Sequence, residues 1–143
     1  SKLCRACTYY GNQKAEKHTY AFLVHSKFSF SVKICDNGRM LTEFQVGPEH
    51  LNQRGTLHGG FIAHLVDAVS TYALTSNENV DTRGFSIDLS VSYLRGAVEG
   101  DIVQVEAFTR KVGKTLAFLE VHVKNKDTNE LLATGKHTKF VGK

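Results

Sequence analysis

The sequence predicts an α+β domain in which one long helix packs against a curled antiparallel sheet of five to six strands. Three observations lead there. A single stretch, Asn52 to Leu74, sustains apolar residues at helical spacing. Several other stretches alternate apolar and polar residues with the period of two that marks strands. Turn residues separate those stretches at intervals of about 10–16 residues, which suits successive antiparallel neighbours. A chain of 143 residues is expected to form one domain over 1–143, with a poorly defined segment over 1–24.

Taken in order, the N-terminal segment is the least patterned, with a short helix or extended piece over Lys14 to Val24. Cys4-Arg5-Ala6-Cys7 is a CxxC without a second pair. Structural zinc takes four ligands, so two idle thiols are expected there. Phe28, Phe30, Val32 and Ile34 alternate with polar residues and predict a strand up to Cys35. Asp36-Asn37-Gly38-Arg39 is a hairpin turn, because Asn and Gly tolerate the positive φ such turns require. Met40 to Val46 is the return strand, and Pro48 opens a polar link to Asn52.

In the helix, Phe61, Ile62, Leu65, Val66, Val69, Tyr72 and Ala73 share one arc. The opposite arc holds Gly60, Ala63, Asp67, Ser70 and Thr71. The apolar arc should face the chain's own sheet. The small-residue arc should then look outward to a second copy, which predicts a homodimer. After a polar loop, Phe85, Ile87, Leu89, Val91 and Tyr93 alternate strictly with Ser86, Asp88, Ser90 and Ser92. Turns at Glu99-Gly100-Asp101, Gly113-Lys114 and Asp127-Thr128-Asn129 separate strands over Ile102 to Lys111, Thr115 to Lys124 and Leu131 to Val141.

Composition narrows the function classes. With 41% hydrophobic and 22% charged residues the chain reads as an ordinary soluble globule. No apolar run approaches the roughly 20 residues of a membrane helix, so no membrane insertion is expected. The net charge of +4 is spread along the chain, which argues against nucleic acid and suits a small polyanionic ligand. Three cysteines and no secretory apolar core point to a reducing compartment, the cytoplasm or the mitochondrion.

Four segments carry a resemblance. Gly55-Thr56-Leu57-His58-Gly59-Gly60 with Leu65-Val66-Asp67, then Ser86-Ile87-Asp88-Leu89, Gly113-Lys114-Thr115-Leu116-Ala117-Phe118 and Gly135-Lys136-His137-Thr138-Lys139, resemble the hotdog-fold acyl-coenzyme A thioesterases. The resemblance covers roughly Ser29 to Gly142. It implies a hotdog fold, hydrolysis of fatty acyl-CoA without a cofactor or metal, and a homodimer that assembles to a homotetramer. Asn52 and the Gly59 N–H match the groups that polarise the thioester carbonyl. Asp67 matches the carboxylate that activates or orients water, Ser86 a hydroxyl that helps place it, and His58 a supporting motif histidine. Tyr93, Leu94, Arg95, Lys111, Gly113, Lys114, Thr115 and Phe140 fall where the family contacts coenzyme A. The chain departs from the family at Gly96, where proline is common, and at Phe140, where a polar residue is usual.

Elementary geometry adds a constraint. Gly59 opens the helix, where a free N–H and the positive end of the helix dipole can meet a developing oxyanion. Asp67 lies eight residues on, about 12 Å along the same axis. A carbonyl at one and a water at the other must approach to about 3–3.5 Å to react. If both residues act, Gly59 and Asn52 come from one protomer and Asp67 from its partner.

Other readings stay open at this level. Asp67 could attack directly and form a mixed anhydride. The same groove could serve a non-catalytic acyl-CoA sensor, or a dehydratase of acyl-CoA double bonds. His64, Asp67 and Ser70 imitate a Ser-His-Asp set but lack a nucleophile elbow. His58 and His64 are off the i, i+4 spacing of helical zinc ligands. Gly113-Lys114-Thr115 echoes the end of a P-loop without its earlier glycine, and reads better as a hairpin turn.

Overall fold

A computed structural model describes residues 30–142. Lys14 to Val24, the CxxC of Cys4 and Cys7, and the strand position Phe28 lie outside the described residues. Cys35 is disulfide-bonded.

The elements follow the predicted order. They are β1 (Phe30–Asp36), β2 (Arg39–Gln45), α1 (Gly59–Thr75), β3 (Phe85–Tyr93), β4 (Ile102–Val112), β5 (Leu116–Asn125) and β6 (Leu131–Phe140), with a 3-10 turn at Pro48–His50. The six strands form one sheet in the order β1-β2-β4-β5-β6-β3, every pair antiparallel. All six touch α1, so the sheet curls around the helix and stays open. In the β1–β2 turn, Asn37 and Gly38 take φ of 41° and 89°, as the hairpin requires. Its tip is tied to the helix end, since the Gly38 N–H donates to Ser76 Oγ at 2.9 Å.

The core lies between α1 and the concave face of the sheet. Ile62, Leu65, Val66, Val69 and Ala73 pack on Phe44, Val105, Ala107, Val121 and Val123. Full burial of each larger aliphatic side chain contributes about 1.5–3 kcal/mol. Gly135 on β6 lets the helix approach: a Cβ there would stand 2.5 Å from Val66 Cγ1.

The two helix arcs differ from expectation. Phe61 and Tyr72 are only partly buried, whereas Ser70 on the small-residue arc is fully buried. Part of that arc turns inward, while the Asp67 side chain stays 49% exposed. Ser70 and Thr71 meet His137 and Lys139 of β6, because these polar side chains find their hydrogen-bond partners inside the fold.

β3 also departs from its pattern. Its alternation would put every serine on one face, but the register with β6 slips between Ser86 and Asp88, leaving Ile87 as the extra residue of a bulge. Ser86 pairs with the buried Lys139, while Leu89 pairs with His137 and Val91 with Gly135. Ser86 therefore shares the helix-facing side with Leu89 and Val91. Phe85 is 78% exposed and Ile87 58% exposed, and β3 pairs with no strand other than β6 among the described residues.

Candidate functional site

Two polar clusters lie along α1, one at its N-terminus and one near its middle, around Asp67 and Ser70. The first surrounds its N-terminus. The loop before the helix closes through bridges between Leu51 and Leu57 and between Thr56 and Val98, and Gly55 takes φ of 76° at its bend. Within it, Asn52 Oδ1 accepts the N–H groups of Arg54 (2.9 Å) and Thr56 (3.2 Å). Asn52 Nδ2 donates to Thr56 Oγ1 at 3.0 Å, leaving its second N–H without an acceptor among the described residues. His58 caps the helix: its Nδ1 accepts the Gly60 N–H at 2.9 Å. That bond turns the imidazole to a backbone task, which fits a supporting role. The Gly59 N–H has no acceptor among the described residues and sits at the positive end of α1. Tyr93 OH donates to the Gly59 carbonyl at 2.8 Å, and a Cβ at Gly59 would meet the Tyr93 ring at 3.2 Å.

The second cluster is built on His137, which is 1% exposed. Its Nδ1 lies 2.7 Å from Ser70 Oγ, and its Nε2 lies 2.8 Å from Ser86 Oγ and 3.7 Å from Asp67 Oδ1. The direction of these bonds follows from proton counting. Ser70 donates its one hydroxyl proton to the Val66 carbonyl at 2.6 Å, so it accepts from Nδ1–H. A neutral imidazole then presents Nε2 as an acceptor, and Ser86 donates to it. Burial, followed by the charge of Lys139, pushes the His137 pKa below its ordinary value against the opposing pull of Asp67 and Asp88. Neutrality is therefore the favoured state near pH 7. Lys139 is also buried, and its Nζ donates to Thr71 Oγ1 at 2.8 Å. Burial holds its pKa below the usual lysine value, with Asp67 acting the other way.

The residues expected to contact coenzyme A divide between the N-terminal and C-terminal ends of α1. Tyr93, Leu94 and Arg95 lie at the end of β3 near Gly59, with the Leu94 and Arg95 N–H groups on the Leu132 carbonyl and Arg95 paired to Glu130 at 3.0 Å. Lys111, Gly113 and Lys114 line a hollow of about 550 Å³ with Asn77 and Asn79. Thr115, whose carbonyl accepts the Val141 N–H at 2.7 Å, and Phe140, opposite both Phe85 and Leu116, flank that end. The Gly113 N–H closes on the Leu116 carbonyl at 2.7 Å, so Gly113-Lys114-Thr115 is a hairpin turn rather than a P-loop.

One chain thus brings Asp67 and Ser86 together, and brings Asn52, His58 and Gly59 together, but holds the two groups apart. Ser86 and Tyr93 are seven residues apart on β3, about 23 Å. His137, Lys139 and Thr71 were not singled out from the sequence, although His137 and Lys139 belong to a recognised segment. As a candidate for chemistry Ser70 was grouped with His64 and Asp67, yet its imidazole partner is His137. No group of three His, Cys, Asp or Glu side chains that could hold a metal occurs among the described residues, and no described helix is long and apolar enough to cross a membrane.

Comparison with known proteins bears on this arrangement. Residues 54–132 match the profile of the family described as "Thioesterase superfamily". The chain is 44% identical over 105 residues to human acyl-coenzyme A thioesterase 13, covering 73% of this chain and 74% of that one. Among solved structures, zebrafish thioesterase superfamily member 2 superposes with a TM-score of 0.80 at 34% identity, covering 90% and 96% of the two chains. The mouse thioesterase superfamily member 2 gives 0.77 at 36% identity, covering 89% and 91%.

Proposed function

The chain belongs to the thioesterase superfamily, and on that footing we propose that it hydrolyses fatty acyl-coenzyme A at a site shared by two copies. The observation that carries this reading is the division of the site. A carbonyl-polarising group stands at the N-terminus of α1, and a water-holding group stands midway along it, at Asp67. The edge of β3 that no strand covers among the described residues supplies the means to unite them. An exposed strand of nine residues with apolar side chains invites another strand. Antiparallel pairing of β3 with its copy along its full length puts the two-fold axis near Leu89. The Tyr93 end of one protomer then meets the Ser86 end of its partner, twice per dimer. The strand edge thus joins the helix arc that bears Asp67 in the proposed dimer contact.

The steps follow from the donors. The thioester oxygen accepts from the Gly59 N–H and the spare Asn52 N–H of one protomer. Asp67 and Ser86 of the other hold a water between them. Because Ser86 gives its proton to His137, its lone pairs face the water and accept one hydrogen, while Asp67 accepts the second. A water held by both hydrogens turns its own lone pair to the carbonyl carbon. As the C–O bond forms, the proton passes to Asp67 and negative charge collects on the carbonyl oxygen, where the preset donors stabilise it. Collapse breaks the C–S bond, and the thiolate recovers the proton from Asp67. The products are the free acid and coenzyme A. Lys111 and Lys114 offer cations to the phosphates, as the spread positive charge suggests.

Thiol release from palmitoyl-CoA, followed with a thiol reagent, tests the reading. Catalytic release supports it. Saturable binding without release would replace it with a sensor.

A further inference from the structure

On the footing of the hydrolytic reading, we infer that Lys139 is a positioning residue whose buried ammonium, anchored on Thr71, fixes the direction of the Ser86–His137 hydrogen bond beside Asp67. Three placements carry this. Thr71, which accepts from Lys139 Nζ at 2.8 Å, lies four residues after Asp67 on α1. Residues i and i+4 are neighbours on a helix face, about 5–6 Å apart at Cβ. Lys139 is also the register partner of Ser86 across β6 and β3, and such partners stand about 4.5–5.5 Å apart at Cβ. It shares the helix-facing side of β6 with His137, two residues away. The ammonium therefore lies among the three groups that handle the water, and at 4% exposure solvent screens it little.

A lysine is an expensive choice for that position. Methionine would fill the same space without desolvating a charge. The charge acts on the imidazole. An imidazolium would donate from Nε2 to Ser86 or Asp67, reversing the serine and turning its hydrogen toward the water. A cation next door opposes that protonation. The charged and titratable groups around Lys139 are Asp67 on α1, His137 on β6, and Arg83 before β3, while Asp88 faces His137. The two acids favour an imidazolium. Lys139 is the buried cation on His137 that offsets them.

The test is the pH profile of kcat for palmitoyl-CoA in the wild type, Lys139→Met, Lys139→Arg and Thr71→Val. With Lys139→Met, kcat near neutral pH falls about tenfold or more, because misaligned groups react slowly. Its acid limb moves up by about one pH unit, because a neutral neighbour no longer opposes protonation of His137. KM stays within about twofold, since substrate contacts remain. Lys139→Arg restores the wild-type acid limb. Thr71→Val, which loosens the ammonium without removing it, moves the limb in the same direction by less, and it decides the matter if Lys139→Met does not fold. An unshifted acid limb in folded Lys139→Met, or in Thr71→Val if it stands alone, overturns the role of Lys139 and leaves the hydrolytic reading intact. Absence of thiol release from the wild type would overturn both.

Discussion

Ser86→Ala isolates the link between the strand bulge and the chemistry. The substitution deletes the hydroxyl 2.8 Å from His137 Nε2 and leaves a buried acceptor with Asp67 Oδ1 at 3.7 Å. Two acceptors cannot satisfy each other. A buried unsatisfied group costs about 1–3 kcal/mol, but Ser86 itself is exposed, so water can enter the vacated space. The expected loss of stability is therefore at the low end, about 1 kcal/mol. The effect on turnover is larger. A water held by Asp67 alone samples orientations that Ser86 forbids, and kcat should fall about tenfold to a hundredfold with KM little changed. Thiol release across a palmitoyl-CoA series, beside urea denaturation of the same preparation, reads both quantities. Activity within twofold of wild type, with unchanged stability, would refute the relay from Ser70 through His137 to Ser86.

Three further outcomes follow from the same geometry. Asp67→Asn keeps the size of a side chain that is 49% exposed, so the fold should hold while kcat drops about 10²–10⁴-fold, the usual worth of a general base; single-turnover thiol release checks it. Ile87→Lys places like charges at a self-pairing edge, so sedimentation should show monomers and the thiol assay should show loss of turnover, whereas an active monomer would remove the shared site. His137 and His50 are both held below the ordinary histidine pKa, chiefly by burial. The unfolded chain then binds more protons between the folded value and about 6.5, so stability is fully present above that range and falls as pH drops through it, by about 1.4 kcal/mol per unit of depression; urea midpoints at constant ionic strength from pH 7.5 to 5 should decline, and a flat series would contradict buried neutral imidazoles.

Much of the fold was legible because periodicity is local. The alternation in Phe85 to Tyr93 and the helical spacing from Phe61 to Ala73 needed no tertiary information, and the Asn37-Gly38 turn announced itself by residue type. The bulge at Ser86–Asp88 was not legible. Strict alternation in sequence says nothing of register against β6, yet that register decides whether Ser86 faces the helix. Nor did β6 disclose its buried pair. A strand whose inward positions read Ala133, Gly135, His137 and Lys139 has no apolar stripe at its C-terminal half, and polar residues in alternation ordinarily signal solvent. The one available hint was an inward small-residue run continuing into His and Lys within a recognised segment. Asp67 and Gly59 were readable as partners in chemistry because their separation along one helix is fixed by the helix itself.

That separation leads to the most direct test, a mixture of two inactive proteins. One carries Asp67→Asn, and the other carries Gly59→Val, whose side chain would displace Tyr93 and block the N–H. A hybrid dimer holds one site with both lesions and one with neither. Random exchange of equal amounts makes half the dimers hybrids, so activity should return to about a quarter of wild type. If tagged subunits demonstrably exchange and the mixture stays inactive, each chain carries its site alone and the shared arrangement is wrong.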